Sequence, residues 1–240
     1  MKVTISIRDS LQRLFTPSCL LCDASCSETG NAGISLCMGC QQDLPWILHS
    51  CNGCALPIES TELDYCSACQ QSPWLSDQVI CFVHYASPVD YLIKKMKFGH
   101  KLSAAKVLGR LMAQQIVQGD FELPDAILPV PLHKKRLRSR GFNQAQELYR
   151  EINKTVAIPL LKGVERTIYT EAQTLVKGDE RAKNLRGVFS VKLGSTVPKH
   201  VVILDDVVTT GATSNELSKV LKAAGVEKVT VWAVARATPN

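Results

Sequence analysis

The sequence contains no long apolar run and no sign of a secretory leader. No stretch of its 240 residues approaches the ~18 consecutive apolar residues that a membrane-spanning helix needs. Near the N-terminus, Arg8 and Asp9 occupy the positions where a signal peptide would carry its apolar core. These absences argue against a secreted or integral membrane protein, and they predict a cytoplasmic protein with no membrane insertion.

Acidic residues are in the minority after residue 75. Residues 1–75 carry three Lys or Arg and seven Asp or Glu, whereas residues 76–240 carry 25 and 15. A basic body suits phosphate-rich ligands, either nucleotides or nucleic acid. The length leaves room for one ordinary domain and a small module, and we place them at 76–240 and 1–75.

Eight of the ten cysteines form four Cys-x-x-Cys pairs, which in a cytoplasmic chain indicate metal binding. Two pairs complete a tetrahedral site, and four thiolates leave no open position for water or substrate, so the predicted zinc is structural. Sequential pairing gives two zinc ribbons, while crossed pairing is the alternative. The predicted ligands are Cys19, Cys22, Cys37, Cys40, Cys51, Cys54, Cys66 and Cys69.

Strand and helix patterns alternate from residue 126 to residue 234. Strands are predicted near 126–131, 157–164, 201–204 and 228–234, with helices over 102–118 and 142–156. This alternation is typical of an α/β domain with a mainly parallel sheet flanked by helices. Ligands of such sheets bind at the carboxyl ends of strands, so the polar loops predicted at 132–144 and 166–187 should converge with the segment after residue 204.

The most informative stretch runs from Val201 to Ser214 and reads VVILDDVVTTGATS. Asp205 and Asp206 stand at the expected end of a buried strand, and the small residues after them lead into a helix. Thr213 and Glu216 have the spacing of a capping box, which places the helix start here. Two acids for sugar hydroxyls, with hydroxyls and helix N-terminal amides for a phosphate, suit a ribose 5-phosphate group.

This stretch resembles the phosphoribosyl pyrophosphate (PRPP) fingerprint of type I phosphoribosyltransferases. The wider order of motifs resembles the ComF family (ComFC and GntX-type proteins) over nearly the whole chain: the cysteine pairs, Leu92–Phe98, Val130-Pro131, Arg140–Gln144, Arg166-Thr167 and Asp205–Thr213. The resemblance implies a type I phosphoribosyltransferase fold with an N-terminal double zinc-ribbon module. It also implies a role in DNA uptake during natural transformation or in the use of external DNA.

Position by position, the resemblance implies roles in binding PRPP with Mg²⁺. Asp205 and Asp206 would hold the ribose hydroxyls, with Mg²⁺ bound through oxygens and water, and would be the catalytic residues of an enzyme. The other implied residues are Thr209, Thr210, Gly211, Ala212 and Thr213 for the 5-phosphate; Leu132, His133 and Lys134 for pyrophosphate; and Arg166, Gln173, Thr174, Arg181 and Asn184 for a lid. An enzyme of this kind would displace pyrophosphate from C1 of PRPP without a covalent nucleophile, because cations and Mg²⁺ stabilise the leaving group. We expect residues 81–100 or the cysteine module to contact the acceptor.

Two basic segments are candidates for binding nucleic acid. The first has lysines interleaved with aromatic residues, which can stack on single-stranded DNA, although a helix with a solvated lysine face fits equally well. The second follows the strand at 126–131. The candidate residues are Lys94, Lys95, Lys97, Lys134, Lys135, Arg136, Arg138 and Arg140.

Three functions therefore stay open at this point. One is a PRPP-dependent transferase acting on an unidentified nitrogenous base, and another is a PRPP-sensing regulator. The third is a single-stranded DNA-binding competence protein that works with the DNA-uptake machinery without catalysis.

Overall fold

The computed structural model describes residues 18–26, 34–59, 62–99, 101–169 and 185–238. Its compact units divide between Leu44 and Pro45. The second set of predicted zinc ligands therefore belongs to the same unit as the α/β sheet, and the placement of the module boundary at residue 75 stays a prediction. Within the described segments, no helix is both long and apolar enough to cross a membrane.

The first unit is a small cysteine-rich fold. An isolated antiparallel bridge joins Ser18 to Ser25, and the backbone N–H of Cys19 donates to the carbonyl of Ala24 at 2.8 Å. A short helix, α1, spans Met38–Gln42. Leu36 and Cys19 are fully buried, so cysteine itself forms part of the interior of this unit.

The second unit contains six strands and six helices among the residues described. The strands are β1 (Gln78–His84), β2 (Ala126–Pro129), β3 (Val164–Arg166), β4 (Phe189–Val191), β5 (His200–Val208) and β6 (Lys228–Arg236). The helices are α2 (Ser67–Gln71), α3 (Val89–Phe98), α4 (Leu102–Gln118), α5 (Lys134–Arg140), α6 (Gln144–Val156) and α7 (Ala212–Ala223).

Four of these strands form a parallel sheet in the order β1-β6-β5-β2, while β3 and β4 form a separate antiparallel pair. All of β2 is buried, as is all of β6 after Lys228, which is typical of strands covered on both faces. The register places Leu204 of β5 beside Pro129 on one side and Trp232 on the other. The predicted α/β class, with a mainly parallel sheet and flanking helices, is confirmed.

Helices cover both faces of this sheet. Leu217 and Leu221 of α7 share a buried cluster with Val201 and Ile203 of β5. Neighbouring strand residues point to the opposite face, so Leu204 packs toward the other helices. There α4 and α6 pack so closely that a Cβ added to Gly109 would lie 2.8 Å from the Cβ of Glu151.

Three sequence-based expectations for local structure are wrong. The segment after residue 132 is not a loop, because Lys134–Arg140 form α5; the Nδ1 of His133 accepts from the N–H of Lys135 at 3.2 Å, and Gly141 ends the helix in the left-handed conformation. The strand expected at 157–164 is reduced to one parallel bridge between Leu160 and Ile127, followed by β3. Finally, β5 does not end before Asp205 but continues to Val208, because β6 pairs with it that far.

Candidate functional site

Two clusters of four cysteines have the geometry of structural zinc sites. In each cluster the sulfur atoms lie within 4.8 Å of one another, and the clusters follow the sequential pairing of the motifs. The Sγ atoms of Cys22 and Cys37 are 3.6 Å apart, and those of Cys54 and Cys66 are 3.8 Å apart. A tetrahedron with Zn–S bonds of ~2.3 Å has S–S edges of about 3.8 Å. The residues therefore fit structural zinc, and none of the ten cysteines, all of which are described, forms a disulfide.

The two acidic residues lie where β5 has lost one of its two neighbouring strands. Pairing of β5 with β2 stops at Leu204, whereas pairing with β6 continues past both acids. The Oδ1 of Asp205 accepts from the N–H of Asp206 at 2.8 Å. Asp206 is 6% exposed and forms an ion pair with Lys97 of α3, with the Nζ and Oδ2 atoms 2.9 Å apart.

Three basic side chains from different elements interact electrostatically with these acids. Besides Lys97, they are Arg140 at the end of α5 and Arg166 at the end of β3. Burial lowers the pKa of both guanidinium groups, while the charge of Asp206 opposes this shift at Arg140 and that of Asp205 opposes it at Arg166. These three residues are 39 to 109 positions away in sequence from the acid with which each interacts, so the fold brings them to one strand end.

The loop after β5 leads into α7 through Gly211, which has φ +75°. A Cβ at this position would lie 2.4 Å from the ring of Trp74, so both conformation and space require glycine. The predicted capping box is wrong: α7 begins at Ala212 with no side-chain cap, and the carboxylate of Glu216 instead accepts from the N–H of Gly187 at 2.7 Å. Because no side chain caps the helix, its first N–H groups are available to an anion.

The predicted 5-phosphate residues all lie at this turn. Thr209 and Thr210 are exposed, Gly211 is buried, and Ala212 and Thr213 are partly buried in the first turn of α7. Of the predicted pyrophosphate residues, Leu132 and Lys134 line a cleft of about 590 Å³ together with Arg166. The ring of His133 lies 5.4 Å from the ring of Tyr169. Gln173, Thr174, Arg181 and Asn184 lie outside the described residues.

The lysines of α3 do not form one solvated basic face. Lys94 pairs with Asp90 at 2.8 Å, Lys95 lies over the ring of Tyr91, and Lys97 points to the acids. The remaining nucleic-acid candidates, Lys134, Lys135, Arg136, Arg138 and Arg140, all belong to α5. Helix α3 thus reaches the acids through Lys97, while contact of residues 81–100 or the cysteine module with an acceptor stays a prediction.

Burial, and secondarily the neighbouring carboxylate of Asp206, raise the pKa of Asp205 to about 7. An ordinary aspartate has a pKa near ~4. The folded protein therefore keeps a proton on Asp205 between about pH 4 and pH 7, where the unfolded chain has lost it. Stability is lost as the pH rises through this window, so the ionised carboxylate of Asp205 is destabilising near neutral pH.

We expect Asp205→Asn to stabilise the Mg²⁺-free protein at pH 8 by about 1–2 kcal/mol, since asparagine has no charge to desolvate. The advantage should shrink as the pH is lowered toward 5.5, because wild-type Asp205 is then protonated as well. Urea unfolding of both proteins at several pH values measures it. A variant that is less stable than wild type at pH 8 would contradict the raised pKa.

Sequence reasoning missed the contacts of Arg236 and Trp74. Arg236 is 2% exposed at the end of β6, where it donates to the carbonyls of Cys54 and Val208. The available signal in the sequence is a charged residue at the end of a mostly apolar strand. Its partners are 182 and 28 positions away, so no local pattern identifies them.

Comparison with known proteins identifies relatives that align with most of the chain. A family model described as a double zinc ribbon domain matches residues 10–70. Competence protein F of Haemophilus influenzae is 32% identical, covering 95% of this chain and 100% of the relative. The DNA utilization protein YhgH of Escherichia coli K12 is 32% identical over 78% and 83% of the two chains, and competence protein ComFC of Streptococcus pneumoniae is 25% identical over 84% and 87%.

Solved structures resemble the chain more distantly. UMP synthase of Leishmania donovani superposes with a TM-score of 0.36 and 17% identity, covering 60% of this chain and 24% of that one. A hypoxanthine phosphoribosyltransferase from Staphylococcus aureus gives a TM-score of 0.32 and 15% identity, over 54% and 61% of the chains.

Proposed function

Because the chain belongs to the ComF family, we propose that it binds PRPP with Mg²⁺, or a related ribose phosphate, and acts in DNA uptake or in the use of external DNA. The observation that carries the proposal is the pair Asp205 and Asp206, which interact with Lys97, Arg140 and Arg166 and lie on the strand whose following loop leads to an uncapped helix N-terminus. The relatives' names, competence protein and DNA utilization protein, support a role in DNA uptake or use. We propose that the protein acts in the cytoplasm.

Each part of the ligand has a matching group at this site. The carboxylates of Asp205 and Asp206 accept hydrogen bonds from the ribose hydroxyls, and their oxygens suit Mg²⁺. The N–H groups at the start of α7 and the hydroxyls of Thr209 and Thr210 receive the 5-phosphate. Arg166 and Lys134, which line the adjacent cleft, neutralise the pyrophosphate. Mg²⁺ held by Asp206 would compete with Lys97 for this carboxylate.

Isothermal titration of the zinc-loaded protein with PRPP and Mg²⁺ tests this proposal. We expect saturable binding at one site per chain, weaker binding of ribose 5-phosphate because it lacks the pyrophosphate contacts, and no binding of ribose. Wild-type protein that is folded and zinc-loaded but binds neither phosphate ligand would refute the proposal. Pyrophosphate release with a panel of nitrogenous bases then separates a transferase from a protein that only binds PRPP.

A second candidate function, binding of single-stranded DNA, is favoured by α5 and its aromatic neighbour. Lys134, Lys135 and Arg138 are exposed on this helix. Phe98 is 73% exposed, and the guanidinium carbon of Arg140 lies 5.8 Å from its ring centroid. An exposed aromatic ring beside a row of cations can stack on bases and neutralise phosphates. A complex with the DNA-uptake machinery would be consistent with this surface.

We expect the wild-type protein to bind single-stranded DNA with an affinity that falls steeply with salt, because neutralised phosphates release counterions. Replacing Lys134, Lys135 and Arg138 with glutamine should lower the affinity and reduce the slope of log K against log salt by about two. The matched control replaces Lys106, Lys154 and Lys219, which lie on other helices. Fluorescence anisotropy at several salt concentrations measures the affinity and its salt dependence for each protein. Binding whose affinity does not change with salt would refute this function.

A further inference from the structure

One buried arginine connects the second zinc ribbon to the loop that begins α7. The Nε of Arg236 donates to the carbonyl of Cys54 at 2.6 Å. Its Nη1 donates to the carbonyls of Val208 at 3.1 Å and Thr209 at 2.5 Å, and also to that of Ala237. A single guanidinium therefore fixes a predicted zinc ligand on one side and the start of the loop on the other.

Trp74 makes the same connection through packing. Its ring packs against the buried cluster of Cys51, Cys54 and Cys69. The guanidinium carbon of Arg236 lies 5.7 Å from the ring centroid. The ring also fills the space that a Cβ at Gly211 would need. The next residue continues this contact, because the N–H of Leu75 donates to the Oδ1 of Asn215 in the first turn of α7 at 2.8 Å.

The positive charge of Arg236 also favours negative charge at the second zinc site and at the loop. Among the described residues no carboxylate forms an ion pair with it, so its buried positive charge is balanced by carbonyl oxygens and the ring of Trp74. A zinc ion with four thiolates is net negative, and a phosphate at the loop is negative too. A buried cation close to both centres stabilises each of them.

We propose that Arg236 and Trp74 are positioning residues that couple the second zinc site, Cys51, Cys54, Cys66 and Cys69, to the loop of residues 207–213. Zinc at this site holds the loop in the conformation that receives an anion. Since coupling between two binding sites is reciprocal, an anion bound at the loop slows the loss of this zinc ion. The second half of the proposal rests on the proposed function, because it needs a phosphate ligand at the loop, whereas the first half does not.

Hydrogen exchange of the ligand-free, zinc-loaded full chain tests the first half. In Arg236→Lys, which keeps the charge but cannot bridge the carbonyls of Cys54 and Thr209 together, we expect amides of 207–213 to exchange at least about fivefold faster, the lower end of usual coupling. Trp74→Leu should act in the same direction. The matched control, Arg110→Lys, changes an arginine that pairs with Glu151 on another part of the fold and should leave the loop unchanged. Loop exchange equal to wild type in both folded variants would overturn the proposal.

Zinc release to a chromogenic chelator tests the second half. With PRPP and Mg²⁺ present, we expect one of the two zinc ions of the wild-type protein to leave at least about fivefold more slowly, while the other is unaffected. Arg236→Lys should abolish this selective protection. If PRPP binds by calorimetry but changes the release rate of neither zinc ion, the coupling would be overturned. Absence of PRPP binding would instead refute the proposed function, and the exchange experiment would still decide whether Arg236 and Trp74 position the loop beside the second zinc site.

Discussion

Replacing Asp205 and Asp206 together by asparagine is expected to weaken binding of PRPP with Mg²⁺ by about 100-fold or more. The substitutions keep the shape of both side chains but remove the two carboxylates that, in the proposed function, accept from ribose hydroxyls and attract Mg²⁺. A hydrogen bond to a charged group contributes roughly 1.5–3 kcal/mol, and two such losses account for the expected change. Calorimetric titration with PRPP and Mg²⁺ measures it.

The variant also separates binding from folding. Removing the charge of Asp205 should stabilise the fold near neutral pH, whereas removing that of Asp206 takes away its ion pair with Lys97. Thermal unfolding of the variant, measured beside the titration, therefore distinguishes loss of binding from loss of structure. Asp120→Asn is the matched control, since this aspartate is exposed and lies outside the site. If the double variant binds PRPP as tightly as wild type, the acids do not hold the ribose and the ligand lies elsewhere.

The parts of this site that sequence predicts are those encoded by neighbouring residues. The stretch from Val201 to Ser214 contains strand, acids, glycine and helix start in that order, and local rules predict this order although they misplace the strand end and the helix cap. The cysteine pairs are equally local, because each Cys-x-x-Cys presents two thiolates from one turn. Both features are present as clusters or elements in the structure.

The parts that sequence does not predict depend on contacts between distant elements. Nothing near Lys97 indicates that it pairs with Asp206 in place of facing solvent; the pair forms because α3 reaches the strand end. The extension of β5 beyond its apolar residues depends on β6, which provides hydrogen bonds as far as Val208. Glu216 has the spacing of a capping residue, yet it accepts from Gly187 because a distant segment lies closer. In each case a tertiary partner determines which of several locally allowed arrangements occurs.

The two zinc ribbons differ in how closely they are connected to the sheet, so the loss of each zinc ion should affect stability differently. Cys54 is buried in the same compact unit as the sheet, its carbonyl accepts from Arg236, and the adjacent Ala55 is fully buried in the main core. Cys22 is exposed and belongs to the other compact unit. Structural zinc contributes roughly 10–16 kcal/mol to folding in small zinc fingers, so the loss of an ion should strongly affect the unit that contains it.

Cys54→Ser is therefore expected to release one zinc ion and to lower the melting temperature of the sheet unit by about 10 °C or more, which corresponds to roughly 4 kcal/mol for a domain of this size. Cys22→Ser should also release one zinc ion but shift that transition by no more than about 2 °C. Calorimetry combined with zinc analysis measures both. Cys81→Ala, a buried cysteine in β1 outside both clusters, shows what the loss of a buried sulfur alone costs. Equal shifts for Cys54→Ser and Cys22→Ser would mean that the second zinc site is not part of the structural framework of the sheet, and the structural basis for coupling that site to the loop would be lost.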